Sequence, residues 1–197
     1  MLTYFIIWLT NKRGVCMKTN VRPLIYVSFC AAIIAVLAQI IIPLPLVPIT
    51  GQTLAIGLVV TILGKKMGTQ AVGLYILLGA IGLPVFTAFS GGLGIIFGPT
   101  GGYIIGFLPT ALVMGVYFER FGYTFTHAVV ANVIGMFVTL AFGAVWLKVI
   151  ADLSWQAALL SGVVPFLVTG VLKAVMAASI GLVVKRRLQQ ANVLQAA

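Results

Sequence analysis

The chain has 197 residues, 62% of them hydrophobic and only 7% charged, with a formal net charge of +10 at pH 7. Soluble domains carry about a quarter charged residues, so the composition excludes a soluble enzyme or a soluble nucleic-acid-binding module. It describes an integral membrane protein with no polar stretch long enough to build a second core.

In chain order, MLTYFIIWLT (1–10) is apolar for too few residues to span a bilayer. No basic residue precedes it, which argues against a secretory signal. It lies in the interface, or else translation starts at Met17. Apolar runs near 23–42, 52–64, 68–84, 101–118, 125–147 and 163–184 then predict an all-α integral membrane bundle of six transmembrane helices. Residues 1–21 are read as an N-terminal extension, cytoplasmic or interfacial. Residues 22–187 form one membrane domain, and 188–197 a cytoplasmic tail.

The basic residues follow the spans. Lys12, Arg13, Lys18 and Arg22 precede the first span, Lys65 and Lys66 join the second and third, and Arg120 joins the fourth and fifth. Lys185, Arg186 and Arg187 follow the last, while Lys148 falls on the other side and Lys173 inside a span. The positive-inside rule places both termini in the cytoplasm.

In the first span, Ala31 and Ala35 stand four apart. Small residues at that spacing let another helix approach, either within the bundle or from a second membrane protein. The first two external connections carry no charge. One is IIPLPLVPITGQT (41–53); the other, GLPVFTAFSGGLGIIFGPTGGY (82–103), is rich in glycine and carries the aromatics Phe86 and Phe97. Such irregular, apolar backbone is expected either to make tight turns or to fold back over a pocket. Thr50, Gln52, Ser90, Thr100 and Tyr103 are the polar side chains these segments would offer to a ligand. The third connection, near 148–162, is also read as a loop.

Few polar residues interrupt the spans. Gln39 and Gln52 flank the first loop, and amides suit a ligand with paired donors and acceptors. Tyr75 is either core packing or pocket wall; Asn132 either bridges helices or faces the pocket floor. Lys173 is the informative residue. At about 1.5 Å of rise per residue it sits about 18 Å from Lys185, past the midplane of a hydrocarbon layer about 30 Å thick. An ammonium there costs at least a few kcal/mol, and the chain's two acids, Glu119 and Asp152, fall in connections. Lys173 either snorkels to the outer interface or meets an anionic ligand.

Energy sources and chemistry are sparse. The Gly64–Lys65–Lys66 stretch lacks the first glycine and the hydroxyl residue of a P-loop, and no Asp or Glu lies in a span to relay protons. A sodium site of backbone carbonyls stays open. Ser90 and His127 fall at opposite ends of the spans, which excludes a hydrolytic pair. Cys16 and Cys30 show neither metal spacing nor a disulfide framework. The residues describe a binding device that needs an external motor, or a passive conduit, with no cofactor and no metal.

PLPLVPITGQTLA (43–55), LYILLGAIGLPVF (74–86), FGPTGGYIIGF (97–107) and PFLVTGVLKAVMAA (165–178), in this order, resemble the BioY family of biotin-specific substrate-binding (S) components of energy-coupling factor (ECF) transporters. The resemblance covers about residues 22–187. It implies six helices, high-affinity capture of biotin at an outward-facing site capped by external loops, and a prokaryotic plasma-membrane location. It also implies partners: a membrane T component with two cytoplasmic ATP-binding subunits, docked through Ala31 and Ala35. The alternative is a self-sufficient facilitator of biotin or a related carboxylate vitamin. The residues expected to bind ligand are Lys173, Gln52, Thr50, Tyr75, Phe86, Phe97, Tyr103 and Asn132, with Lys173 meeting the carboxylate. One departure stands out. Where the family motif reads P-F-L/I-P-G-D-x-x-K, this chain has Val168 for the proline and Gly170 for the aspartate, while Lys173 is kept.

Overall fold

The computed structural model describes residues 21–191, so the segment 1–20 and the end of the tail, 192–197, lie outside the described residues. Helix α1 (Val21–Leu37) is followed by an antiparallel pair of two-residue strands, β1 (Ile41–Ile42) and β2 (Ile49–Thr50), in which Ile41 faces Thr50 and Ile42 faces Ile49. The first span was expected to run to 42. It stops five residues earlier: the Gln39 and Ile40 N–H groups donate to the Val36 and Leu37 carbonyls in a tightened last turn, and Ile41 and Ile42 pair with the returning strand. The chain returns as a hairpin instead.

Helix α2 (Gln52–Ala80) replaces the two expected spans and the Lys65–Lys66 connection between them. Only Gly64 leaves helical geometry, at φ 76° and ψ −169°. That region is open essentially to glycine, so the chain turns between two limbs without a loop. The second limb ends at Ala80, short of the expected 84, where Gly82 adopts φ 102° and Pro84 follows. A 3₁₀ turn (Thr87–Phe89) and the one-turn helix α3 (Leu93–Ile96) lead to α4 (Gly101–Phe121), which ends at Gly122 with φ 80°. Thr124 caps α5 (Phe125–Ile150), its hydroxyl accepting from the His127 N–H at 3.3 Å.

The connection read as a loop near 148–162 is helical in part. Ser154 accepts from the Ala157 N–H and caps α6 (Trp155–Gly162), which abuts α7 (Val164–Gln190). The cap signal Ser154-Trp155-Gln156-Ala157 was present in the sequence, but the segment is too short to stand out by periodicity. Helix α7 also outruns its expected end, carrying Lys185 into the fold instead of into a flank. Lys185 is 6% exposed, donates to the Ile62 carbonyl at 3.1 Å and lies 3.8 Å from the Tyr123 ring centroid. It thereby satisfies a carbonyl beside the Gly64 break.

With α2 counted as two limbs, the described residues hold six long helical limbs. Three runs are long and apolar enough to cross a membrane: Gly101–Phe121, Phe125–Ile150 and Trp155–Gln190. Helix α2 is the hub, packing against α1, α4 and α7, while α5 closes the bundle between α4 and α7. Small residues fill the interior, among them Ala38, Ala55, Ala71, Ala128, Ala131 and Ala178, whereas Phe29, Val36, Phe142, Leu172 and Val183 face outward. Large apolar side chains outside and close helix contact inside suit a lipid solvent. The α4–α5 seam is the tightest example. A Cβ on Gly102 would strike Trp146 and the Phe142 carbonyl, and one on Gly106 would press on Phe142.

Candidate functional site

At the end of the bundle bounded by the hairpin and the 82–100 segment, a cavity of about 220 Å³ opens between α2, α4, α5 and α7. Its walls are mostly apolar and aromatic, with Phe86, Tyr103, Phe107 and Phe166 among them. Threonines 50, 53, 87, 100, 139 and 169, together with Ser90, Gln52 and Lys173, interrupt that surface. Apolar walls with a few placed polar groups are the usual form of a small-molecule site.

Lys173 does not snorkel outward. Its Nζ donates to the Thr50 carbonyl at 2.7 Å and reaches the Thr53 hydroxyl at 3.5 Å. The residue borders both the main cavity and a second chamber of about 30 Å³ beneath it. It thus stands at the inner end of the main cavity. Both partners are neutral, and among the described residues the single ion pair is Lys65 with Glu119 at 2.9 Å, elsewhere in the fold. An ammonium has three donors; at least one N–H and the whole positive charge remain without a protein counterpart.

The Gln52 side chain is bonded to three others. Its Nε2 donates to the Tyr75 hydroxyl at 2.6 Å, and its Oε1 accepts from Thr50 Oγ1 at 2.9 Å and Thr87 Oγ1 at 3.4 Å. This network joins the hairpin, α2 and the second loop around one wall of the cavity. Tyr75 is fully buried behind Gln52 with its ring edge against Phe86, at 5.5 Å between centroids. It supports the wall without lining it.

The remaining sequence candidates separate. Thr50, Gln52, Phe86, Tyr103 and Lys173 come together around the cavity. The Tyr103 hydroxyl is engaged with the Gly162 carbonyl at 2.7 Å, so its ring is the surface it offers. Asn132 sits in the lower chamber with Nδ2 bonded to Thr61 Oγ1 at 3.2 Å and the Ala128 carbonyl at 2.8 Å, bridging α5 to α2. Phe97 is 63% exposed and is not among the lining residues; an aromatic in an irregular loop carries no sign of the side it faces. Ala31 is 2% exposed, packed inside the bundle, and Ala35 is half-buried. The open face of α1 carries Ser28, Phe29, Ala32 and Val36.

Several lining residues were not singled out from the sequence: Thr53, Thr87, Phe107, Phe166 and Thr169. One signal was available. Phe166, Thr169, Gly170 and Lys173 recur at three- and four-residue spacing, which puts them on the same face of α7 as the lysine. At Gly170, a Cβ would collide with Met136, whose thioether occupies the space beside it. Among the described residues no group of His, Cys, Asp and Glu could hold a metal.

The model of the BioY family matches residues 10–190. The chain is 38% identical over 175 residues to a biotin transporter BioY2 of Lactococcus lactis subsp. cremoris, covering 89% of this chain and 96% of that one. It is 41% identical to a biotin transporter BioY of Thermotoga maritima, covering 84% and 96%. Its fold matches the crystal structure of the S-component for biotin from an ECF-type ABC transporter with a TM-score of 0.80. That match has 29% identity and covers 86% of this chain and 93% of the other.

Proposed function

The chain belongs to the BioY family, and from that premise we infer that it is the biotin-binding S subunit of an ECF-type vitamin transporter. The observation that carries the reading is the cavity with one uncompensated ammonium at its inner end. Biotin has a carboxylate, a neutral ureido ring and an apolar thiophane ring. Lys173 meets the carboxylate. The threonine hydroxyls, which both donate and accept, serve the ureido ring, with Thr50 and Thr87 held in place by the Oε1 of Gln52. Phe86, Phe107, Phe166 and the Tyr103 ring enclose the apolar part. The hydroxyl of Tyr103 and the amide nitrogen of Asn132 keep their protein partners and take no part.

The chain acts by binding and delivery, not by catalysis. It lies in a prokaryotic plasma membrane as six spans, with both termini cytoplasmic and the hairpin and second loop at the external face. Its partners are a membrane T component and two ATP-binding subunits. Helix α1 offers them the strip Ser28–Ala32–Val36, with Ala35 at its margin and Ala31 behind it as the packing residue that brings α1 close to α2.

Calorimetry of the purified chain tests this reading. Biotin is expected to saturate a single site, and biotin amide, which keeps the ring system but not the charge, is expected to bind at least about tenfold more weakly, the lower range for a charge-assisted hydrogen bond. Equal affinity for acid and amide would move Lys173 from the carboxylate to another oxygen of the ligand. Absence of biotin binding would refute the function.

A further inference from the structure

Gln39 lies just beyond α1, and its side-chain amide is used up by protein groups. Nε2 donates to the Ala35 carbonyl at 2.9 Å and to the Phe86 carbonyl at 3.0 Å, and Oε1 accepts from the Phe89 N–H at 2.9 Å. One bond returns to its own helix. The other two hold a loop segment 47 and 50 positions away. That segment supplies Phe86, Thr87 and Ser90 to the cavity.

Its backbone is not relaxed. Ala88 and Phe89 are consecutive non-glycine residues in the left-handed region, at φ 56° and 52°. Side-chain-bearing residues persist there only when their surroundings hold them. Inside the turn, the Phe86 N–H donates to the Ser90 carbonyl at 2.9 Å and the Ser90 hydroxyl to the Thr87 carbonyl at 2.7 Å. Both bonds are internal and would travel with the turn if it moved. Phe86 is pinned against Tyr75 and Gly79, whereas Phe89 is 71% exposed. The turn is thus fixed at its inner edge by an aromatic plug and the long Thr87–Gln52 bond of 3.4 Å, and at its outer edge by the two shorter bonds of Gln39.

We propose that Gln39 is a latch, a positioning residue whose amide holds the 86–90 turn closed over the cavity and thereby sets how fast ligand enters and leaves. The identity of that ligand rests on the biotin reading above; the latch itself rests on the hydrogen bonds and the strained turn. Removing a latch speeds opening whether the site is full or empty. Association and dissociation both accelerate, and the dissociation constant moves less than either rate. A residue that only shapes the site would instead weaken binding through dissociation alone.

The test uses the full chain, with Gln39→Ala and Gln39→Glu. The glutamate keeps an acceptor for the Phe89 N–H and loses the donor to Phe86. Labelled-biotin exchange is expected to quicken by about tenfold or more in both directions for the alanine variant, the effect of two ordinary hydrogen bonds lost. The glutamate variant is expected to fall between it and wild type. In ligand-free protein, hydrogen exchange at the Phe89 amide is expected to rise in Gln39→Ala while the melting temperature holds. Unchanged biotin rates despite faster amide exchange, or unchanged amide exchange, would overturn the latch. Failure of the biotin reading looks different: wild type then binds no biotin, and exchange at Phe89 still decides whether Gln39 holds the turn.

Discussion

Replacing Lys173 by alanine is expected to weaken biotin binding by about thirtyfold or more while leaving the ligand-free protein folded. Truncating one partner of a desolvated charge pair costs about 2–5 kcal/mol, and each 1.4 kcal/mol is about tenfold. The stability side has the opposite sign from a usual core deletion. In the empty protein the ammonium is held by one short bond to Thr50 and one long contact to Thr53, with no carboxylate to offset its removal from water. Lys173→Met, which keeps the stem and drops the charge, is expected to melt no lower than wild type without ligand. It should also lose the rise in melting temperature that biotin gives wild type. Lys173→Arg keeps the charge and should keep part of the affinity. Biotin titrations and ligand-dependent thermal shifts on the four proteins check this. Wild-type affinity in Lys173→Met would remove the lysine from the site.

The second large effect is on the fold. Gly102→Val is expected to abolish recovery of folded, monodisperse protein, because a Cβ at that position meets the Phe142 backbone carbonyl as well as Trp146. Backbone cannot swing aside as a side-chain end can, so α4 and α5 must separate. Overpacking costs about 1–3 kcal/mol where side chains can adjust, and more here. The seam also places Tyr103 and Thr139 on the cavity wall, so any surviving protein should bind biotin poorly. A neighbouring control is available. Gly94, in the one-turn helix α3, has nothing within 4 Å of its Cβ position, and Gly94→Ala should behave as wild type. Size-exclusion profiles of the two variants decide the matter; a monodisperse, biotin-binding Gly102→Val protein would contradict the close α4–α5 contact.

How much was legible beforehand follows from which physical signals are local. The long apolar limbs were visible because each is a run of residues that must avoid water. The place of Lys173 along its helix was visible because helical rise converts sequence distance into length, and its side chain lines the cavity. The Gly64 break was not, since one glycine in an apolar run looks the same whether it packs a helix or turns it. Helix α6 was lost for its brevity. The facing of side chains was hardest. Ala31 and Ala32 are equally small, and only packing against α2 decides that the first is inside. Phe86 and Phe97 are both loop aromatics, yet one plugs the core and the other faces outward. Gln39 was read as an amide suited to a ligand, whereas its partners are backbone groups of a loop far along the chain. Long-range pairing of that kind leaves no trace in local sequence.

The most direct test of the account is a structure of the protein with biotin bound. Biotin is expected in the cavity between Phe86, Tyr103 and Phe166, with a carboxylate oxygen within hydrogen-bond distance of the Lys173 Nζ. Density for biotin anywhere else, such as the cleft beside Lys65 and Lys66, with the cavity left empty, would contradict it.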